Sequence, residues 1–257
     1  MLLEKAVVLS NKQIRPDYWQ LGLYAPQIAA QAQPGQFMMV TAADSFDPFL
    51  KRPMGINIID PKSGFIRIIY LVLGRGTKLL TNLRENMEID LLGPLGNCWK
   101  IEKDCRRALI MGGGSGVATL LPLARELFYR RVQVDVILGA RSKDYLSCAD
   151  EFAGYGSVIY ATIDGSAGYK GLATDIFPGD IRYDMVYACG PMKMMENVVH
   201  LSREHHIRCQ VSLEENMGCG YGVCMGCICS VRQADGQIVY KRICKDGPVF
   251  YGEEVFW

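Results

Sequence analysis

The chain has 257 residues, and its 28 Lys and Arg against 27 Asp and Glu leave a formal net charge of +1. No global field draws it to nucleic acid or to an anionic membrane, and a hydrophobic content of 49% excludes the disordered and collagen-like classes. At about 150 residues per domain, this length is enough for about two domains with real cores.

At the start of the chain, Glu4 and the polar residues through Gln13 interrupt any apolar run, so a secretory leader is not expected and a cytoplasmic location is. From residue 1 to 100, short segments rich in Val, Ile, Leu and Tyr alternate with Pro and Gly, as at Pro34 and Gly35, Pro61 and Gly64, and Gly93 and Pro94. That spacing predicts an antiparallel β-barrel, with strands over 36–40, 55–59 and 65–73 and a short helix over 77–83. The apolar stretch 108–124 is long enough to raise a membrane span. Its glycines at 112, 113, 114 and 116 and Pro122 predict a strand, a turn and a helix instead.

Beyond residue 100 the pattern becomes α/β with a parallel sheet. Strands are expected at 108–111, 132–138, 157–160 and 184–188, and a helix over 117–131. From residue 213 to 257 the composition shifts again, to five cysteines and seven glycines in 45 residues. Such a stretch is too small for a core of its own and predicts a module built around something else. The expected parts are therefore 1–100, 101–212 and 213–257. His200, His205 and His206 fall on an expected surface helix and are assigned no chemistry.

Cys219, Cys224 and Cys227 form C-x4-C-x2-C, and Cys244 follows after sixteen residues. The first three match the spacing of plant-type [2Fe-2S] ligation, and four soft thiolates suit such a cluster. Gly218, Gly220, Gly222 and Gly226 let the loop fold tightly and bring N–H groups toward sulfur. A four-cysteine zinc site is the alternative, although zinc typically uses paired C-x2-C knuckles. Cys229 lies two residues beyond Cys227 on an expected strand, 228–232, and is a spare.

Gly112, Gly114 and Gly116 lie between a strand and a helix, where free N–H groups can receive a pyrophosphate; a ligand-free tight turn would also favour glycine. Cys189, Gly190 and Pro191 end a strand at the edge where α/β sheets place ligands, and a small buried hydrophobe is the other reading of Cys189. In the β half, Arg52 offers a forked donor to phosphate, and Gly74, Gly76 and Thr77 precede a helix. A surface ion pair and a plain turn are the alternatives there. Arg141, after the second α/β strand, can meet a 2′-phosphate, stack on adenine or face water.

Taken in order, the motifs at 51–56, 74–80, 112–116, 164–168, 189–192, 212–215 and 244–250 resemble those of the ferredoxin–NADP reductase superfamily. The chain resembles most closely its electron-transfer subunits of class B dihydroorotate dehydrogenases, from end to end, and the last two motifs are the most specific. The resemblance implies an FAD-binding barrel over 1–100, an NAD-binding α/β domain over 101–212 and a [2Fe-2S] module over 213–257. Arg52, Pro53, Met54 and Gly55 would contact FAD, Ile69, Tyr70 and Leu71 would edge the flavin, and Gly76 with Thr77 would bind its pyrophosphate. NAD would place its pyrophosphate at Gly112–Gly116 and its nicotinamide near Cys189. The iron ligands would be Cys219, Cys224, Cys227 and Cys244. Gly55 stands where these proteins usually have Ser, and Leu71 where they often have Arg.

The same resemblance implies a partner, an FMN-containing dihydroorotate dehydrogenase catalytic subunit, with two copies of each chain. Electrons would run from dihydroorotate through FMN, the cluster and FAD to NAD+, in pyrimidine biosynthesis. Nicotinamide takes two electrons together and an iron-sulfur centre passes one at a time, so a flavin must stand between them. Small subunits of transhydrogenase, sulfide dehydrogenase or hydrogenase diaphorase type share these parts and are the alternative. A zinc-stapled nucleotide-sensing module is the non-enzymatic one, and it would be colourless. The aromatic residues within 248–251 and 255–257 suit either a partner surface or packing onto the chain itself.

Overall fold

The structure is a computed structural model that describes residues 1–43, 47–146 and 148–257. The chain divides into two compact units: Met1–Cys98 with Glu214–Ile228 and Arg242–Pro248, and Trp99–Leu213 with Cys229–Lys241 and Val249–Trp257. The stretch 213–257 is thus shared between the two.

In the first unit the elements are β1 (Leu2–Arg15), β2 (Tyr18–Tyr24), α1 (Pro26–Gln31), β3 (Phe37–Val40), β4 (Arg52–Gly55), β5 (Ile58–Asp60), β6 (Phe65–Leu71), α2 (Arg75–Leu80) and β7 (Glu88–Leu95). The seven strands form one antiparallel sheet in the order β4-β3-β7-β1-β2-β6-β5. β4 also packs beside β6, although four strands separate them in that order, so the sheet curls into a half-barrel. Alternation along the strands sends Val8, Leu21, Leu23, Met38, Ile66, Ile68 and Leu91 into one core. Glu4 is buried on β1, where its carboxylate accepts the N–H groups of Gln27 (3.0 Å) and Ile28 (2.7 Å) and satisfies the first turn of α1.

The strand expected over 55–59 is broken between β4 and β5. Asn57 turns inward, fully buried, and its amide oxygen accepts from Nε of Arg67 while its N–H donates to the Arg67 carbonyl (2.8 Å). A buried amide needs such partners, and making them bends the chain. The expected helix over 77–83 forms two residues earlier and ends at Leu80.

The remaining elements are β8 (Arg107–Gly113), α3 (Val117–Tyr129), β9 (Gln133–Ala140), α4 (Ala149–Phe152), β10 (Ser157–Thr162), β11 (Tyr169–Lys170), β12 (Met185–Cys189), α5 (Met192–Glu204), β13 (Arg208–Ser212), β14 (Ile228–Arg232), β15 (Ile238–Arg242), α6 (Ile243–Asp246) and β16 (Val249–Tyr251). The second unit is built on a sheet of order β11-β10-β9-β8-β12-β13-β16. It is parallel except at one edge: β16 runs antiparallel to β13, with Phe250 opposite Val211, so the sheet is mixed rather than purely parallel. From β8 the chain steps outward through β9, β10 and β11, then returns to β12 on the other side of β8. The carboxyl ends of β8 and β12 therefore flank a topological switch point, where open α/β sheets hold ligands.

The aromatic residues of the tail are largely absorbed by this unit. Phe250 is buried on β16, Val255 bridges Val231, and the indole of Trp257 donates to the Gly252 carbonyl (3.0 Å). Phe256 remains half-exposed, with the Arg232 guanidinium over its ring. His200 lies on α5, whereas His205 and His206 lie just past its end, and all three are exposed. Among the described residues no helix is long and apolar enough to cross a membrane.

Candidate functional site

Three groups of candidate residues take shape, two in the first unit and one in the second. On the half-barrel, Arg52 of β4 comes close to the start of α2. A β-carbon at Gly76 would fall 2.2 Å from Nε and 2.6 Å from Cζ of Arg52, so the guanidinium lies directly on the Gly76 backbone. Two cationic or positively polarised features thereby meet: an arginine fork and the first N–H groups of α2. The Thr77 hydroxyl is committed to the turn itself. It accepts from the N–H groups of Leu73 (3.1 Å) and Gly74 (3.2 Å) and donates to the Gly74 carbonyl (3.0 Å), which leaves the backbone of Gly76 and Thr77 for a ligand.

Tyr70 points into the barrel core, and its hydroxyl donates to the Asn11 amide oxygen (3.1 Å). Burial pushes its phenol up to about 12, against the opposing pull of that hydrogen bond. The side chain of Tyr70 is thus committed to the core, while Ile69 and Leu71 project from the opposite face. The Asn11 amide also donates to the carbonyls of Leu80 (2.8 Å) and Leu83 (3.2 Å), tying the end of α2 to β1. Asn11 is a positioning residue that carries no local sequence signal. Met54 likewise packs into the core, whereas Arg52, Pro53 and Gly55 stay partly exposed.

In the second unit, residues 112–116 leave β8 and pass the end of β12, with Gly112 in register with Cys189. Gly114 has φ +55° and open space where a β-carbon would stand, so its backbone faces outward unobstructed. Cys189 is buried and accepts a hydrogen bond from the Thr119 hydroxyl (3.4 Å), while its own thiol reaches the Ser212 carbonyl (3.6 Å). At the ends of β9 and β10 on the same sheet edge, the Arg141 guanidinium lies 3.4 Å over the Tyr145 ring. The turn 164–168 is closed by the Asp164 carboxylate, which accepts the Ser166 hydroxyl (2.6 Å) and N–H (2.9 Å). Those bonds hold Asp164 below the usual carboxylate range. Gly112, Gly114, Gly116, Cys189 and Arg141 are thus brought to one edge.

The third group is the cysteine loop of the first unit. The N–H groups of Val223 (3.4 Å) and Cys224 (3.5 Å) point at the Cys219 sulfur, that of Cys219 at the Cys224 sulfur (3.5 Å), and that of Cys244 at the Cys227 sulfur (3.4 Å). The Cys224 sulfur lies beside Gly218 and Gly226, where β-carbons would approach it to 3.3 and 3.5 Å. Burial alone would raise the Cys219 thiol, but the backbone donors of Cys224, Tyr221 and Val223 outweigh it and bring it down to about 6. Cys244 is pushed the other way, up to about 12, first by burial and then by the hydrogen bond and charge of Cys227 and the charge of Cys219. The sulfurs fall into two pairs, Cys219 with Cys224 and Cys227 with Cys244, and the charge of Cys219 reaches Cys244. Among the described residues no three such side chains are close enough together to hold one metal ion, so it is the soft-donor chemistry and the N–H groups aimed at sulfur that suit an iron-sulfide centre.

Arg242 and Asp246 frame the fourth cysteine. The Asp246 carboxylate accepts from Nε (3.0 Å) and from the backbone N–H (2.8 Å) of Arg242, whose Nη1 donates to the Gly222 carbonyl (3.0 Å). Asn97 adds a bond from its side chain to the Asp246 carbonyl (3.2 Å). The Arg242–Asp246 spacing is an i,i+4 pattern that a reading of charge pairs around Cys244 would have found; Asn97 had no such signal. Cys105 and Cys209 are packed thiols, raised to about 11 and about 12, in both cases chiefly by burial.

Residues 214–256 match the family described as the iron-sulfur cluster binding domain of dihydroorotate dehydrogenase B. The whole chain is similar to the electron transfer subunits of dihydroorotate dehydrogenase B (NAD(+)) of Geobacillus sp. (strain WCH70), 38% identical over 99% of both chains, and of Bacillus caldolyticus, 39% identical over 98% of both. Among solved structures it is similar to one reported for an NADH-dependent reduced ferredoxin-NADP oxidoreductase in flavin-based electron bifurcation. That similarity has a TM-score of 0.87 at 34% identity and covers 98% of this chain and 90% of that one.

Proposed function

Because the chain belongs to the family of dihydroorotate dehydrogenase B electron transfer subunits, we propose that it carries electrons from the FMN of a dihydroorotate dehydrogenase catalytic subunit to NAD+. It does so with FAD and one [2Fe-2S] cluster, in the cytoplasm, as part of pyrimidine biosynthesis. The observation that supports the reading is the pairing of Cys219 with Cys224 and of Cys227 with Cys244 among N–H donors, within the residues that match the iron-sulfur binding family.

When bound, the cluster supplies one-electron transfer and the flavin couples it to the two-electron chemistry of nicotinamide. The chain's own residues bind and orient. Arg52 and the N–H groups of Gly76 and Thr77 hold the FAD pyrophosphate, Gly74 opens the turn, and Pro53, Gly55, Ile69, Tyr70 and Leu71 border the flavin. With Gly at 55 and Leu at 71, those two positions contribute backbone and apolar contact rather than a hydroxyl and a charge. Gly112, Gly114 and Gly116 receive the NAD pyrophosphate, and Cys189 stands beside the nicotinamide as a small, dry wall. The four cysteines hold iron as thiolates, and Arg242 fixes the loop that carries three of them.

The functional assembly is two copies of this chain with two of the FMN-bearing subunit. Co-expression followed by size-exclusion chromatography, with a dihydroorotate-to-NAD+ assay, tests it: the catalytic subunit should reduce NAD+ only when this chain co-elutes. A catalytic subunit equally active alone would refute it. The similarity to the ferredoxin-NADP oxidoreductase chain favours a second reading, the small subunit of a transhydrogenase-type reductase. Co-purification with a pyridine-nucleotide reductase subunit in place of the FMN subunit would select that one.

A further inference from the structure

On β3 the side chains alternate. Met38 and Val40 lie in the barrel core, and Met39 projects from the opposite face, yet Met39 is fully buried. What covers it is the cysteine loop. Gly220, next to Cys219, has φ +81°, a conformation that favours glycine, and a β-carbon there would fall 2.4 Å from Cγ and 2.7 Å from Sδ of Met39. Met39 is directly opposite Pro53 on β4, and opposed residues of an antiparallel pair share a face. Phe37, the next residue on that face of β3, borders Gly96 together with Pro248: a β-carbon at Gly96 would meet Pro248 at 2.6 Å and Phe37 at 3.1 Å. The outer face of β3 therefore lies under the cysteine loop at Met39, and at Phe37 it borders the same glycine, Gly96, that Pro248 packs against.

We propose that Met39 is the positioning residue that seats the cluster loop on the outer face of β3, holding Cys219 in place through Gly220. This inference rests on the cofactor reading given above. An unbranched thioether with three rotatable bonds conforms to the irregular surface of a glycine loop, and it excludes water beneath the sulfurs without presenting a competing hydrogen bond. Leucine, of similar volume, can fill the same space, whereas alanine leaves a void between loop and strand.

The test uses the full chain as purified with its cofactors, comparing wild type, Met39→Leu and Met39→Ala. Four quantities are read: flavin content, the rate of flavin reduction by NADH, the rate at which a chelator removes iron, and the rate and electron paramagnetic resonance line shape of cluster reduction. Met39→Ala should keep its flavin and its flavin reduction rate, release iron about tenfold faster, and show a broadened signal with slowed cluster reduction. Met39→Leu should resemble wild type in all four. Unchanged iron release and cluster reduction in Met39→Ala would overturn the proposal. Loss of flavin and iron together in both variants would also overturn it, because Met39 would then merely support the barrel. A wild-type chain that binds no iron would instead refute the cofactor reading, whatever the variants did.

Discussion

Gly116 and Cys189 meet through their backbones: a β-carbon at Gly116 would stand 2.7 Å from the carbonyl carbon of Cys189 and 2.6 Å from the nitrogen of Gly190. The atoms met are main chain at the end of β12, and they cannot turn aside as a flexible side chain would.

Gly116→Ala should therefore open the crevice between the ends of β8 and β12. The Michaelis constant for NADH in a diaphorase assay is expected to rise about tenfold or more, which corresponds to about 1.4 kcal/mol. Gly114→Val should act in the same direction by a different route, since φ +55° is strained for a β-branched residue. The FAD absorption spectrum should stay unchanged in both variants, and an unchanged Michaelis constant would count against the crevice as the NADH site.

Gly76→Ala displaces only the guanidinium of Arg52, the movable end of a long side chain, so the fold should survive. FAD affinity should fall, because a charge-assisted bond of about 1.5–3 kcal/mol is lost or misdirected. Arg52→Ala should produce a loss of similar size. Fluorescence titration of the apoprotein with FAD measures both, and tight FAD binding in both variants would remove Arg52 from the site.

Replacing Cys219, Cys224, Cys227 or Cys244 singly by Ser should nearly abolish cluster iron, whereas Cys229→Ser should retain it. Iron and sulfide assays on the five variants decide the ligand set. Normal iron in Cys244→Ser beside depleted iron in Cys229→Ser would reassign the fourth ligand.

Stripping the cluster with a chelator should loosen residues 214–228 and 242–248 while leaving the strands of both sheets protected, as read by hydrogen exchange. Arg242→Ala should mimic part of this effect with iron still present, because it releases the Gly222 carbonyl and one side of Asp246. Uniform protection across the chain after iron removal would mean that the loop is rigid without its metal.

Much of this was legible before folding, for specific reasons. The strands of the second unit announce themselves because a parallel sheet covered on both faces needs unbroken apolar runs, such as Ala108, Leu109, Ile110 and Met111, all fully buried. The hairpin of β1 and β2 has little local signal, since Asn11, Lys12 and Gln13 are a polar run that becomes strand only through its pairing with Leu21, Gln20 and Trp19. β16 was hidden in a short segment flanked by Gly247, Pro248 and Gly252, and only its partner β13 makes it a strand. In the candidate site the cysteine spacing was explicit, because ligands to one small cluster must be close in sequence or return to it. The residues that support it come from remote parts of the chain. Met39 beneath Gly220 and Asn97 beside Asp246 are consequences of tertiary packing, and no local pattern marks them.

The division of residues 213–257 between the two units has a consequence for how this protein can be altered. The segment that carries the cysteines also supplies an edge strand to the second sheet through β16, and it lends the half-barrel its contacts at Gly247 and Pro248. It is therefore not a cassette. Cutting the chain at residue 213 would strip a hydrogen-bonding partner from β13 and uncover Met39 at once, and grafting 213–257 onto another reductase would transplant a fragment with neither of its supports. Exchanging cluster types among such proteins would require moving the outer face of β3 and the edge of β13 that β16 covers together with the cysteines.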